Sequence, residues 1–450
     1  MADVQPIATA DILSALSHAL DLVEGQPVGH AVRTCILAMN LGARLELDEE
    51  TLTDLYFAAL LKDAGCSANS VRIHAIFGDD HAAKRAVKLI DWTRKLDCVT
   101  YALKHMQRGQ PPLQRFAKMV EASGDKECHM DALTAARCSR GADIAIKLGF
   151  GEAVADAVRN LDEHWNGMGA PDHLAGDAIP LLSRILCLCQ TLDVLVLSFG
   201  LKPAFKILRK RTGRWFDPAI AQAALGMERD ESLWNSLRNE SRQAVLSIVS
   251  PATVAHASDA TIDDICEAFA SIIDAKSSYT SEHSRRVTRY ALEVAGDLGF
   301  DAARLSTLRR ASLLHDIGKL AVPTAILDKK GRLDEREFEV IKSHPRHTEE
   351  ILGMIRGFGR ITEVAAAHHE RLDGRGYHRG IGADQLDVDM RIVSVVDVFD
   401  ALTAARPYRE ALKLDEVFAI MEKDAGAALD PALVGILKDR YGAAPLPLAA

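Results

Sequence analysis

The chain has 450 residues, 48% of them hydrophobic and 26% charged. At about 100–200 residues per domain, that is enough for two or three packed cores. A net charge of −9 excludes a broad nucleic-acid-binding face, which needs surplus Lys and Arg to neutralise phosphates, yet leaves room for a small anionic ligand held by local cations.

Taken in chain order, nearly every periodic segment predicts helix. The opening MADVQPIATADILSAL lacks the basic start and apolar run of a secretory signal. Ile185 to Phe199 is the most apolar stretch, but it is short and carries Gln190 and Asp193, and no stretch reaches the roughly 18 uninterrupted apolar residues of a spanning helix. The eight cysteines show neither disulfide-scaffold nor CxxC spacing. A cytoplasmic protein with reduced thiols and no membrane or DNA partner is expected. Glu231 to Ile248 predicts a helix joining two halves, followed by a low-pattern linker, Ser250–Ala260. Thr261 to Asp264 resembles a capping box ahead of the stripe Ile262, Ile265, Phe269, Ile272 and Ile273. From His283 a second stripe, Val287, Tyr290, Ala291, Val294, runs toward a stop at Gly299. Leu305, Leu308 and Ser312 lead to His315; Ile361, Val364 and Ala365 lead to His368. Period-2 strands are scarce, so the expected class is all-α: two tandem helical-bundle domains, residues 1–250 and 251–450, joined by a linker helix.

The two halves are related by an internal repeat. His283 and Asp316 lie 253 positions after His30 and Asp63; Gly374, Gly376 and Arg391 lie 207 positions after Gly167, Gly169 and Arg184. The change of offset is a 46-residue insertion in the first half between Gly65 and Arg137. A repeat this long indicates duplicated domains. At the chemically interesting positions the halves diverge. His315 corresponds to Lys62, His344 to Arg137, His368-His369 to Leu161-Asp162, and Asp397 to Gln190. The first half is therefore expected to be non-catalytic, with a regulatory or dimerising role.

In the second half, His283, His315, Asp316, His344, His368, His369 and Asp397 supply five imidazoles and two carboxylates. Adjacent His-Asp and His-His pairs are hard to reconcile with packing, and neutral imidazoles with ionised carboxylates are what divalent metals require. Asp397, set among valines in VVDVFDAL, needs a partner because an isolated buried carboxylate costs several kcal/mol.

His283, the His315-Asp316 doublet and Asp397 resemble the HD superfamily of metal phosphohydrolases. The set His315-Asp-Ile-Gly-Lys319, His344, His368-His369-Glu370 and Asp373-Gly-Arg-Gly-Tyr377 resembles its HD-GYP branch, over about Ile262 to Tyr441. One departure is His378, where the name-giving motif has proline. The resemblance implies that the seven residues above hold two divalent ions, iron or manganese, with Asp316 bridging them. The position that bears a third-metal glutamate in some members is Tyr279 here. It further implies a phosphodiesterase that opens cyclic di-GMP to pGpG, and on to GMP, through a hydroxide between the metals. Lys319 would contact the phosphate or leaving oxygen, with Asp316 beside it in the reaction. Tyr377, Asp373, Gly374 and Gly376 would line the mouth; Arg406 and Arg409 would grip phosphate or a guanine edge, with Asp400 orienting them. Cyclic GMP-AMP is the alternative substrate, and a non-catalytic effector that binds the nucleotide or a diguanylate cyclase is the rival class. A homodimer is also compatible.

Overall fold

The computed structural model describes residues 7–91, 94–107, 110–111, 113–115, 130–239, 257–277, 282–404 and 410–442. Among these the regular elements are helices, with only isolated β-bridges such as Asn166–Ala175 and Ala425–Leu429. The all-α expectation holds. The chain divides into two compact units, Pro6–Asp264 with Pro323–Ala325, and Ile265–Val322 with the rest of the C-terminal part. The predicted linker and the end of the joining helix fall largely outside the described residues; that helix is described over Glu231–Asn239.

The first unit runs α1 (Thr9–Val23), α2 (His30–Arg44), α3 (Glu49–Leu61), α4 (Ser70–Phe77), α5 (Asp80–Val87), α6 (Lys95–His105), α7 (Met130–Lys147), α8 (Glu152–Arg159), α9 (Leu181–Phe199), α10 (Leu201–Arg211), α11 (Pro218–Leu225) and α12 (Glu231–Asn239). Side chains from α4, α5 and α6 form a small core of their own with Leu133: Ile73, Phe77, Ala83, Tyr101 and Met106. The insertion is thus a packed subassembly. Helix α9 is long and apolar enough to cross a membrane, but 72% of its apolar window is buried inside the unit.

The second unit contains α13 (Asp259–Asp274, its first residues in the other unit), α14 (His283–Asp297), α15 (Ala302–Leu314), α16 (Thr324–Leu327, its first two residues in the other unit), α17 (Glu335–Lys342), α18 (His344–Leu352), α19 (Gly359–Ala366), α20 (Val388–Thr403), α21 (Leu414–Asp424) and α22 (Pro431–Tyr441). Local chemistry sets the starts. Asp301 accepts from Arg304 N at 2.8 Å, Asp387 from Asp389 N at 3.1 Å, and Asp334 forms a capping box with Glu337. Helix α13 corrects the capping expectation. It begins at Asp259, and Ser258 Oγ accepts from Thr261 N at 3.1 Å, so the cap lies three residues before Thr261. Helix α14 ends at Asp297, and Gly299 adopts φ +76, as its expected stop requires.

Candidate metal centre

Five elements of the second unit converge. His283 opens α14, after Glu282 in the left-handed region at φ +61. His315 closes α15, and Asp316 precedes the 3-10 turn Ile317–Ala321 that carries Lys319. His344 opens α18, His368 and His369 follow α19, and Asp397 lies on the inner face of α20. All but His369 are buried.

Close backbone approach makes this convergence possible. A Cβ on Gly318 would stand 1.9 Å from His344 O and 2.7 Å from Thr348 N, so only glycine lets the turn lie against α18. Thr348 Oγ1 then donates to His315 O at 2.9 Å and accepts from Gly318 N at 3.1 Å, clamping the His-Asp doublet. Gly376 serves the other side: its Cβ would meet Glu370 Cα at 2.4 Å. The Glu370 carboxylate accepts from the backbone N–H groups of Arg379, Gly380 and Ile381, closing the loop beneath His369.

The ring orientations prepare nitrogen lone pairs for a cation. Nδ1 of His315, His344 and His368 lies 2.7, 2.6 and 2.7 Å from the carbonyls of Ser312, Ile341 and Ala365. Donation there leaves Nε2 as the lone-pair nitrogen. His283 Nδ1 is held at 2.7 Å by Asp400 Oδ2, and Arg286 clasps the same carboxylate from Nε at 2.6 Å. Asp400 therefore orients His283; Arg406 and Arg409, toward which it was expected to act, lie outside the described residues.

The two oxygens of Asp316 face two separate sets. Oδ2 is 3.4 Å from Nε2 of both His283 and His315, and His283 Nε2 is also 3.4 Å from Asp397 Oδ1. Oδ1 is 3.4 Å from His344 Nε2 and 3.6 Å from His368 Nε2. Candidate ligand atoms cluster as His283–His315–Asp397 and as His344–His368–His369. His283 Nε2, His315 Nε2 and Asp316 Oδ1 are buried without a hydrogen-bond partner. Orphaned buried lone pairs of this kind are costly unless a cation takes them up. Nε2 of His344 and of His368 are only 3.0 Å apart. The donor set fits two divalent ions bridged by Asp316.

The electrostatics agree. Burial drives His315 and His344 down to about 4, and His369 well below its ordinary value, so these imidazoles are neutral ligands at pH 7. Burial also works against charge on His283, but Asp316, Asp400 and Asp397 prevail and push it up to about 10. A proton there does what a divalent ion would do between those carboxylates. Burial opposes charge on Asp316 too, yet Lys319 and the imidazoles hold it well below the carboxylate range. Lys319 Nζ contacts Asp316 Oδ2 at 2.5 Å.

The remaining predicted residues that are described lie around His369 and the turn after it. Tyr377 lies 4.9 Å from the His369 ring. The Asp373 carboxylate accepts from the Arg371 guanidinium and from Arg375 N at 3.0 Å, and Gly374 takes φ +71, so both build the turn. His378 Nε2 meets Glu349 Oε2 at 2.5 Å, and Arg379 bonds the same carboxylate. Tyr279 lies outside the described residues.

In the first unit the repeat extends to the clasp. His30 Nδ1 meets Asp193 Oδ2 at 2.7 Å and Arg33 Nε meets Oδ1 at 2.8 Å, matching His283–Asp400–Arg286. A Cβ on Gly65 would stand 1.9 Å from Arg137 O and 2.7 Å from Gly141 N, the same crowding as at Gly318. The centre itself is rebuilt. Lys62 pairs with Asp63, while Lys88 Nζ lies 3.8 Å from Asp63, 3.6 Å from Glu24 and 3.1 Å from Gln190 Oε1. Lys84 and Arg137 stand 3.7 and 3.9 Å from Glu24. Glu24, Asp63 and Cys66 form a metal-sized cluster, but ammonium and guanidinium groups already neutralise it.

A helical bundle with such a His/Asp centre defines a metal phosphohydrolase type of site. An HD domain family profile matches residues 114–220 and 267–433. The 3'3'-cGAMP-specific phosphodiesterase 3 of Vibrio cholerae serotype O1 is 40% identical over 440 residues, 97% of this chain and 95% of that protein. The crystal structure of a cyclic GMP-AMP specific phosphodiesterase of V. cholerae, V-cGAP3, is 35% identical with a TM-score of 0.68, covering 98% of this chain and 99% of the other. The cyclic di-GMP phosphodiesterase response regulator RpfG of Xanthomonas campestris pv. campestris is 39% identical over 167 residues, 37% of this chain and 44% of that protein. The chain belongs to the HD domain family, in its HD-GYP branch.

Proposed function

We propose that this protein is a metal-dependent cyclic-dinucleotide phosphodiesterase whose first substrate is 3'3'-cGAMP, opened to the linear dinucleotide. The observation that carries the hydrolase reading is the split of Asp316, one oxygen toward His283 and His315, the other toward His344 and His368. These residues would hold two divalent ions, iron or manganese, which when bound would supply an acidified water and positive charge toward the phosphate oxygens. The imidazoles and Asp397 fix the ions' positions, and Asp400 with Arg286 fixes His283. Lys319 lies on the Asp316 carboxylate, where its ammonium can turn to a phosphate oxygen or stabilise the departing one. Tyr377, beside His369, forms one wall of the mouth. Arg406 and Arg409 are assigned to grip the second phosphate or a guanine edge.

Cyclic di-GMP, the substrate expected from the motifs, becomes the second reading. The relative that spans both halves is named for 3'3'-cGAMP, whereas RpfG, named for cyclic di-GMP, matches only 37% of the chain. Protein purified without oxygen and loaded with iron or manganese should convert 3'3'-cGAMP faster than cyclic di-GMP, read by product chromatography. Asp316→Ala should abolish both. A reversed preference would install cyclic di-GMP; equal product from wild type and Asp316→Ala would replace the enzyme with a binding effector.

A further inference from the structure

The first unit holds a cavity of about 240 Å³ at the place where its ancestral metal ligands were replaced. Arg137, Asp162 and Gln190, the counterparts of His344, His369 and Asp397, line it. Because the insertion contributes Lys84 and Lys88 from one side and Tyr101 from another, the cavity has no equivalent in the second unit. Its character is mixed. One wall is apolar and aromatic, where the His164 ring stacks on Trp215 at 4.1 Å and 18°. Of the lining groups turned from solvent, Lys84, Lys88 and Arg137 stand against Glu24 and Asp162, one more cation than anion, with the Lys62–Asp63 pair beyond the lining. The neighbouring Asp21 does not cancel that surplus, since burial pushes its carboxyl up to about 8 and keeps it protonated at pH 7. Asp131, the remaining acid on the lining, has a side chain 65% exposed.

Two further groups lack what buried polar atoms need. Asn69 Oδ1 and His164 Nδ1, on residues 4% and 6% exposed, have no hydrogen-bond partner, and both residues line the cavity. Each such atom costs about 1–3 kcal/mol while unsatisfied. Orphaned acceptors and ring nitrogens in a pocket with a stacked aromatic wall are the complement of a nitrogen heterocycle. A cavity of about 150 Å³ accepts one benzene ring; on that scale about 240 Å³ takes a purine base, with sugar and phosphate reaching along the charged side, and a cyclic dinucleotide is too large.

We propose that the first unit binds a mononucleotide in this cavity, its base against the Trp215–His164 wall and its phosphate toward Arg137 and Lys88. The phosphate would exchange with Asp162, whose side chain is 27% exposed, for the Arg137 guanidinium. Such a guanidinium favours a dianion that offers a bidentate edge. This site is separate from the catalytic reading and does not depend on the substrate assigned there.

The test uses the full chain and its own fluorescence. All four tryptophans, Trp92, Trp165, Trp215 and Trp234, lie in the first half, so the second half contributes no indole to the signal. Titration with GMP and with AMP should give a saturable change in emission at micromolar to millimolar concentration. Thr134→Phe, which narrows the rim, should weaken the apparent affinity at least tenfold. Arg137→Gln should weaken GMP but leave guanosine unchanged, and Asp316→Ala should leave the titration as in wild type. The proposal is overturned by no saturable change with either nucleotide, or by a titration that survives both Thr134→Phe and Arg137→Gln. Loss of the signal in folded Asp316→Ala also overturns it, since the binding would then belong to the metal centre.

Discussion

Asp400→Asn is the sharpest test of the clasp behind His283. The carboxylate accepts from His283 Nδ1 at 2.7 Å and from Arg286 at 2.6 and 3.0 Å, and it is 1% exposed. Asparagine keeps the shape but not the charge, and its amide can face the ring either way, so the tautomer that offers Nε2 is no longer enforced. Removing such an outer partner of a metal-binding histidine costs roughly 10–100-fold in metal affinity or activity, about 1.4–2.8 kcal/mol. The Arg286 side chain is 21% exposed and water can share it, so the stability loss should stay near 1–2 kcal/mol. The first unit supplies the control. Asp193→Asn breaks the same geometry around His30 and Arg33 at side chains only 0–4% exposed, and a buried guanidinium left without its partner costs about 3–5 kcal/mol. It should destabilise more than Asp400→Asn while leaving metal binding intact. Elemental analysis, chelator competition and urea denaturation measure all three quantities. Metal affinity within twofold of wild type in Asp400→Asn, or equal metal loss in both variants, would refute the reasoning.

Other expectations follow from the same contacts. Gly318→Ala drives a methyl to 1.9 Å from His344 O and should destabilise the second unit by several kcal/mol with loss of bound metal, whereas Gly65→Ala, equally crowded, should lower stability alone; melting curves with metal analysis separate them. Lys319→Met should lower kcat by roughly 10²–10³-fold with metal stoichiometry preserved, because the lysine contacts Asp316 but supplies no ligand atom; steady-state kinetics beside elemental analysis check this. Burial, with the Arg211 guanidinium nearby, holds His164 down at about 3. Its folded value lies below the unfolded value of about 6.5, so the unfolded chain takes up a proton the folded chain refuses. Stability is then complete above about pH 6.5 and falls as the pH drops toward 3, by up to about 3 kcal/mol at pH 4. His164→Phe should flatten that fall in urea titrations across pH 4–7, and an unchanged slope would show that other groups carry it.

The candidate metal-site residues were legible in the sequence because their chemistry conflicts with their surroundings. His315 and His368 end apolar helical stripes, and Asp397 sits among valines, positions where polar groups need partners. The outer residues were harder to read. Asp400 lies one helical turn after Asp397 on α20, and nothing local says whether it faces the mouth or α14; three-dimensional packing decides. The repeat did hold the answer, since the offset of 253 that relates His283 to His30 also relates Arg286 to Arg33, and the later offset of 207 relates Asp400 to Asp193. A charged trio kept in both halves, one of them without metal ligands, must serve the scaffold as well as the metal. Lys84 and Lys88 carried no such signal. They lie on a short helix in the insertion, absent from the second half, and lysines there read as solvent-facing until α5 is packed against the old centre.

Those lysines show how fixed charges neutralise the buried aspartate of the first unit. Asp63 keeps the place of the bridging Asp316 and is buried, so its charge must still be neutralised. In the second unit Asp316 is opposed by Lys319 and by groups poised for two divalent ions. In the first unit Lys62 occupies the His315 position, and Lys88 reaches in from the insertion to Asp63, Glu24 and Gln190. Burial alone would raise the Asp63 carboxyl; Lys62 and Lys88 instead hold it far below the ordinary range. Fixed ammonium groups thus stand in for exchangeable cations, and the repeat keeps its clasp, its glycine contact and its buried aspartate. What differs is the set of side chains at the centre: Arg137, Asp162 and Gln190 stand where the second unit has His344, His369 and Asp397, and they line the cavity.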